Sequence, residues 1–383
     1  MNILFDYQIF ELQEAGGISK YHADLNTGIQ KESINSHIGI IHSDNLHLKE
    51  AGIKTKNTFS EEDIFLGKYK FRGKHFLIQA YKRMGFNLNN SHFINAEYCR
   101  KLITNKSYDI LHATYYKDLY NDITISIPTV ITIHDMIFES FPYFFNNISV
   151  IHKKKEWAKR ANKIIAISEY TKSEILRHYN FIKEENIHVV YHGITSYNDS
   201  TPNTQHIKDN YILYVGERWG YKNFYTLLRA LKILKNKRIE YKLYCVGREF
   251  TSSELSYIDF LNITDLVVNL GRVSDVKLRE LYKRAQMYVS TSMSEGFGLP
   301  LLECMKYSTP MILSDIPVYR EIAGNAAIYF TAIDEYALAE AINYVYDNNK
   351  LQKQLIGCGL SKYINYSHQK TVKETIDVYK SLL

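Results

Sequence analysis

Residues 290–315 read STSMSEGFGLPLLECMKYSTPMILSD, and this one segment orders a strand, a tight turn, a helix and a second strand. QMYVS (286–290) and PMILS (310–314) are short apolar runs of the kind that fill a buried sheet. Between them Gly296 and Gly298 let the backbone approach a ligand closely, and Pro300 suits a first helical turn, where its missing N–H is not needed. A helix that starts this way turns free N–H groups toward a phosphate or a hydroxyl-rich ligand.

The same alternation extends in both directions. YILYVG (211–216), KLYCVG (242–247) and LVVNLG (266–271) complete five strand candidates in the C-terminal half. Phe224, Leu227, Leu228, Leu231 and Leu234 recur at helical spacing, as do Leu278, Leu281, Tyr282 and Ala285, with Ser274 as N-cap. NILF (2–5), DILHAT (109–114), TVITIH (129–134), KIIAIS (163–168) and HVVYHG (188–193) give the N-terminal half its own five. After Gly17, the residues Ile18, Tyr21, Leu25 and Ile29 mark an amphipathic helix. The pattern predicts an α/β protein with two Rossmann-like, doubly wound parallel sheets. Residues 195–210, TSYNDSTPNTQHIKDN, hold almost nothing apolar and read as the linker. The expected domains are 1–197 and 198–365, with the helix in 366–383 crossing back onto the first lobe.

A chain of 383 residues, 45% hydrophobic and 23% charged, has room for two cores. Its four cysteines form no CxxC pair, so a zinc site or disulfide framework is not expected and a reducing compartment fits. MNILFDYQIF lacks a basic leader and Asp6 interrupts its apolar run, so it reads as a first strand and not a signal peptide. With no apolar run of membrane-spanning length, a cytoplasmic location is expected. A net charge of +6, with no recognisable binding module, does not point to nucleic acid. No GxGxxG follows the first strand, which tells against a nicotinamide enzyme.

Seven residues separate Glu295 from Glu303, around the glycine-rich turn. In this spacing the chain resembles the family 4 retaining glycosyltransferases (glycosyl transferases group 1) of GT-B architecture. The resemblance implies a donor site in the cleft between the lobes, with 1–197 on the acceptor side and 198–365 on the nucleotide-sugar donor side, and a nucleotide-diphosphate sugar as donor substrate, with no cofactor. Glu303 would accept hydrogen bonds from ribose hydroxyls and Glu295 would reach the transferred sugar, with Gly296, Phe297, Gly298 and Leu299 forming the turn around them. VGERWGYKNFYTLL (215–228) resembles the family's diphosphate loop, so that Lys222 and Arg218 would stabilise charge growing on the leaving group. No Asp-x-Asp occurs in the chain, and metal-independent transfer is expected. QEAGGISKY (13–21) resembles the glycine loop beside the diphosphate, matched at Gly16 and Gly17. His134 and Asp135 fall where the family places a His-Asp near the sugar, and His112 lies at another strand end. Val273 matches the loop that holds the base through main-chain atoms, and Arg248 follows a strand end close to the phosphates.

By the same analogy the acceptor hydroxyl attacks the anomeric carbon from the leaving-group face, and configuration is retained. The N-terminal loop leans toward a GDP-mannose type donor. The acceptor would be a saccharide or lipid-linked saccharide of a surface polysaccharide such as an O-antigen or capsule. Residues 64–86 interleave aromatics with six Lys or Arg and no acid, a pattern suited to an anionic membrane surface. Two other readings fit the architecture: a nucleotide-sugar epimerase or hydrolase, and a non-catalytic nucleotide-sugar binding subunit.

Overall fold

The strands form where branched and aromatic residues are covered by helices on both sheet faces. β4 (Thr129–Ile133) and β11 (Met311–Ser314), for example, are buried at every residue. A computed structural model describes residues 1–60, 62, 65, 69, 71–84, 90–105, 107–117, 125–145, 149–194 and 209–383. Most of the expected linker lies outside these residues.

The first sheet contains β1 (Asn2–Phe5), β2 (Asn35–Ile38), β3 (Ile110–Ala113), β4, β5 (Lys163–Ala166) and β6 (Ile187–Val189), in the order β2-β1-β3-β4-β5-β6. The second contains β7 (Asp209–Val215), β8 (Lys242–Val246), β9 (Val267–Asn269), β10 (Ala285–Ser290), β11 and β12 (Ala327–Phe330), ordered β12-β11-β10-β7-β8-β9. Every pairing is parallel. Counted from its own first strand, the second lobe has the dinucleotide-fold order 3-2-1-4-5-6, whereas the first runs 2-1-3-4-5 with a further edge strand. In each lobe the sequence reading finds five strands and the structure has six. The extra ones, β2 and β12, are both sheet edges.

These orders fix where ligands can bind. The winding reverses between β1 and β3 in the first sheet and between β7 and β10 in the second. A crevice therefore opens beyond the carboxyl ends of those strands.

The last helix, His368–Lys380, packs on the first lobe: Val372, Ile376, Val378 and Tyr379 join the core formed around β1, β3 and β4. The Tyr379 hydroxyl meets His112 Nδ1 at 2.5 Å, and Thr371 Oγ1 donates to the Tyr191 carbonyl. The first lobe thus carries the last helix of the chain. Among the described residues no helix is long and apolar enough to cross a membrane.

Candidate active site

Two glycine-bearing turns and one cation build the site, and each follows a strand at the second sheet's reversal point. The chain leaves β7 at Gly216, whose φ of 128° suits glycine, and reaches a short 3-10 turn, Gly220–Lys222, before the helix Phe224–Asn236. This turn is tied to the segment after β10: Thr291 Oγ1 donates to the Lys222 carbonyl, and the Met293 N–H donates to the Tyr221 carbonyl. Because β7 and β10 are neighbours, Lys222 and Glu295 meet across 73 residues of sequence. Lys222 Nζ lies 2.6 Å from Glu295 Oε1, with the side chains 20% and 14% exposed. Ser292 Oγ donates to the same carboxylate oxygen at 2.6 Å, and the Tyr319 hydroxyl stands 3.5 Å from it.

This pair faces a cavity of about 390 Å³ between the lobes, within the roughly 300–1,000 Å³ range of small-molecule sites. Gln13, Gly17, His134 and Asp135 border it from the first lobe, and Lys222, Glu295 and Gly296 to Leu299 from the second. An adjoining cavity of about 160 Å³ shares Gly17, His192 and Leu299 with it and contains Glu303. Gly17 opens the helix Gly17–Lys31, so that helix points its free N–H groups into the cleft. Gly16, its N-cap, has an extended backbone; a Cβ there would strike the Gln13 side chain.

Close backbone approach is required at Gly296, where a Cβ would lie 1.7 Å from the His134 carbonyl oxygen. The Gly296 carbonyl in turn accepts from Ser168 Oγ at 2.8 Å and Thr171 Oγ1 at 3.1 Å. The turn is thereby clamped to the first lobe. Gly298, at φ 96°, caps the helix Leu299–Lys306 in the left-handed region. Phe297 is buried and packs edge-on against His192 and Tyr366.

His134 stacks on His192 with ring centroids 5.5 Å apart, and Tyr21 stands edge-on to both. Burial pushes the His134 imidazole down to about 3, so it is neutral at physiological pH. Its Nε2 has no partner among the described residues. A neutral imidazole at the cleft wall can donate or accept a hydrogen bond toward a sugar hydroxyl. His112 sits deeper, fully buried and bonded to Tyr379 and Thr132.

Arg218 is buried and serves mainly as a strut, a placement the sequence reading does not anticipate. Its Nε lies 3.0 Å from Glu254 Oε1, and Nη2 donates to the carbonyls of Arg248 and Glu249. Nη1 has no partner among the described residues and lies 3.6 Å from where a side chain on Gly247 would begin. Arg248 pairs with Glu217 at 3.0 Å and Glu254 at 3.6 Å. Val273 is half-buried against the core of the second lobe. The structure therefore brings Lys222, Glu295, His134, Asp135, Gly17 and the glycine turn to one cavity, sets Glu303 next door, and leaves Arg218 and Arg248 behind the wall. Ser292, Tyr319, His192 and Gln13 also contribute, and none carries a local sequence signal.

Burial raises the Glu303 carboxyl to about 7, with Asp275 adding to the rise, while the Tyr282 hydroxyl, Lys20 and Lys306 oppose it. In the empty protein its protonated form favours the fold, a contribution that is full below its ordinary 4.5 and lost as pH rises to about 7. Ribose hydroxyls donate to the ionised form, so binding has the opposite sign. Nucleotide-sugar affinity should be constant above about pH 8 and weaken as pH falls below 7, by up to about tenfold per unit. Calorimetric titration at pH 6 and 8 checks this. Glu303→Gln should give a flat profile, and a wild-type profile as flat as the variant's would count against the ribose role.

Two parallel lobes of this topology, with a ligand crevice between them, make the GT-B architecture. Residues 198–359 match the family described as glycosyl transferases group 1, and residues 63–196 match glycosyltransferase family 4; the chain belongs to this class. It is 31% identical over 216 residues to the O-antigen chain mannosyltransferase RfbU of Salmonella typhimurium, a stretch covering 56% of this chain and 60% of that protein. It is 26% identical over 290 residues to O-antigen chain mannosyltransferase B of Escherichia coli, covering 70% and 75%. Less than two thirds of RfbU is therefore spanned. An S. aureus TarM mutant, solved in complex with fondaparinux, α-GlcNAc-glycerol and UDP, superposes with a TM-score of 0.73 over 99% of this chain and 100% of that one. At 13% identity the likeness is one of fold.

Proposed function

We propose that this chain transfers a mannose-type sugar, with retention and without a metal, from a nucleoside diphosphate to a saccharide acceptor of a surface polysaccharide. The Lys222–Glu295 contact at the reversal point carries this reading. The diphosphate lies against Lys222 and the N-terminus of the helix from Gly17, with Glu303 on the ribose. As the anomeric C–O bond to phosphate breaks, the acceptor oxygen bonds to the same face of the carbon. Its proton passes to the departing phosphate oxygen. Glu295, held by Lys222 and Ser292 through Oε1, borders the cavity, where it can accept from sugar hydroxyls. The two O-antigen chain mannosyltransferases this chain is similar to favour mannose and an O-antigen, and a GDP-linked donor extends that reading.

Incubation with GDP-mannose and a panel of UDP-sugars, each with excess chelator, tests it. Transfer from GDP-mannose in chelator is expected. Loss of all transfer on chelation, with recovery on adding a divalent ion, would contradict metal independence.

Peripheral membrane contact belongs to the same reading. The helix Lys74–Arg83 rests on the lobe through Lys74 and Ile78 and leaves Phe76 72% exposed, with Tyr69, Arg72, Leu77 and Met84 also at the surface. Lys68 and Lys70 lie outside the described residues. Replacing Arg72 and Arg83 with Gln and Phe76 with Ser should reduce sedimentation with anionic vesicles and leave donor turnover in solution unchanged. Equal sedimentation would remove the membrane role.

A further inference from the structure

A third cavity, of about 430 Å³, opens on the first lobe, outside the cleft just described. Its walls come from the chain after β1 (Phe10, Glu11, Glu14), after β2 (Asp44, Asn45) and after β3 (Lys117), joined by Phe59 and His92. β1 is hydrogen-bonded to β2 on one side and β3 on the other, and the first sheet's winding reverses between β1 and β3. The cavity therefore occupies the ligand position of the first sheet, as the donor cleft occupies that of the second. A single turn separates the two: Gln13 borders the cleft, and its carbonyl accepts at 2.6 Å from Asn45 Nδ2, whose residue lines the cavity.

We infer that this cavity holds a neutral saccharide unit of the acceptor, one beyond the unit that receives the transferred sugar. The inference rests on the proposed transfer reaction. Its polar groups are fixed in advance. Asn45 Oδ1 accepts from the Leu48 N–H, Asp44 accepts from Thr58, and Glu11 accepts from His92 Nδ1 at 2.7 Å and Lys117 Nζ at 3.3 Å. Carboxylates and an amide held this way suit paired sugar hydroxyls, and the half-buried Phe59 supplies apolar surface for a sugar face. An anion is disfavoured. Glu11, Glu14 and Asp44 outnumber the one lysine in the wall, Lys117, which is already spent on Glu11.

Calorimetric titration of the full chain with α-mannotriose tests the site without turnover. Glu14 and Asp44 are exposed, so Glu14→Ala and Asp44→Ala keep the core intact. The double variant should bind mannotriose about tenfold or more weakly while binding GDP as the wild type does. Methyl α-mannoside, too short to reach both sites, should show a smaller change, and mannose 6-phosphate should not compete. Unchanged mannotriose binding in the double variant, or no saccharide binding by a wild type that binds GDP, would overturn the inference. Saccharide binding sensitive to these residues without any sugar transfer would instead overturn the proposed reaction and leave the site standing.

Discussion

Lys222→Ala is expected to lower kcat by about 10²-fold or more while changing GDP affinity much less. The reason lies in when its charge is needed. Glu295 neutralises Lys222 at 2.6 Å, so the ammonium already has a partner of its own within the protein. Negative charge grows on the departing diphosphate as the glycosidic bond breaks, and only then does the cation gain a stronger partner than Glu295. Removing it costs the transition state more than the ground state. The substitution also strands a carboxylate that is only 14% exposed, so a modest fall in thermal stability should accompany it. Lys222→Met combined with Glu295→Gln separates the effects: stability should recover and turnover should not. A Lys222→Ala enzyme with wild-type kcat would show that the cation does not face the leaving group.

Gly296→Ala should be comparably damaging for a steric reason. The added Cβ would lie 1.7 Å from the His134 carbonyl oxygen, and backbone stands on both sides, so neither can yield by a rotamer change. The turn must move away from the first lobe, and Ser168 and Thr171 then lose the Gly296 carbonyl. Displacing Glu295 by about 1 Å is enough to cost roughly 10²-fold in kcat. Overpacking of this kind should also lower stability by about 1–3 kcal/mol. Gly357→Ala is the control, because nothing lies within 4 Å of its Cβ position in a helix; it should be neutral or slightly stabilising. Steady-state kinetics and thermal unfolding of both variants decide the matter. Normal kinetics in Gly296→Ala would mean the clamp has no catalytic role.

What the sequence discloses is what short-range patterns encode. The glycine turn at 296–298, the helix start at Pro300 and the interior strands are each written in a few consecutive residues, and they lead directly to two parallel α/β lobes. β2, with the sequence NSHI, has one strongly apolar residue, and β12 is four residues long. As a sheet edge, β2 lacks the neighbour on one side that would demand an apolar run, whereas β12, AIYF, is apolar throughout and follows β11 after only the short helix Pro317–Ala323. Side-chain pairing is a different matter. That Lys222 would touch Glu295 follows from β7 and β10 being neighbours, and strand order is not carried by either segment. Arg218 reads from sequence as a phosphate ligand because it shares the loop with Lys222; Glu254, 36 residues on, draws it into the wall. The cavity on the first lobe is illegible in sequence for the same reason, its walls coming from five separated stretches of chain.

Proton NMR of the product formed from GDP-α-mannose and a mannoside acceptor examines sugar transfer and its stereochemistry together. Retention at the Lys222–Glu295 site predicts a new α-mannosidic linkage, absent in the Lys222→Ala reaction over the same interval. A β-linkage would contradict the front-face mechanism, and hydrolysis or epimerisation of the donor with no new linkage would contradict the transfer itself.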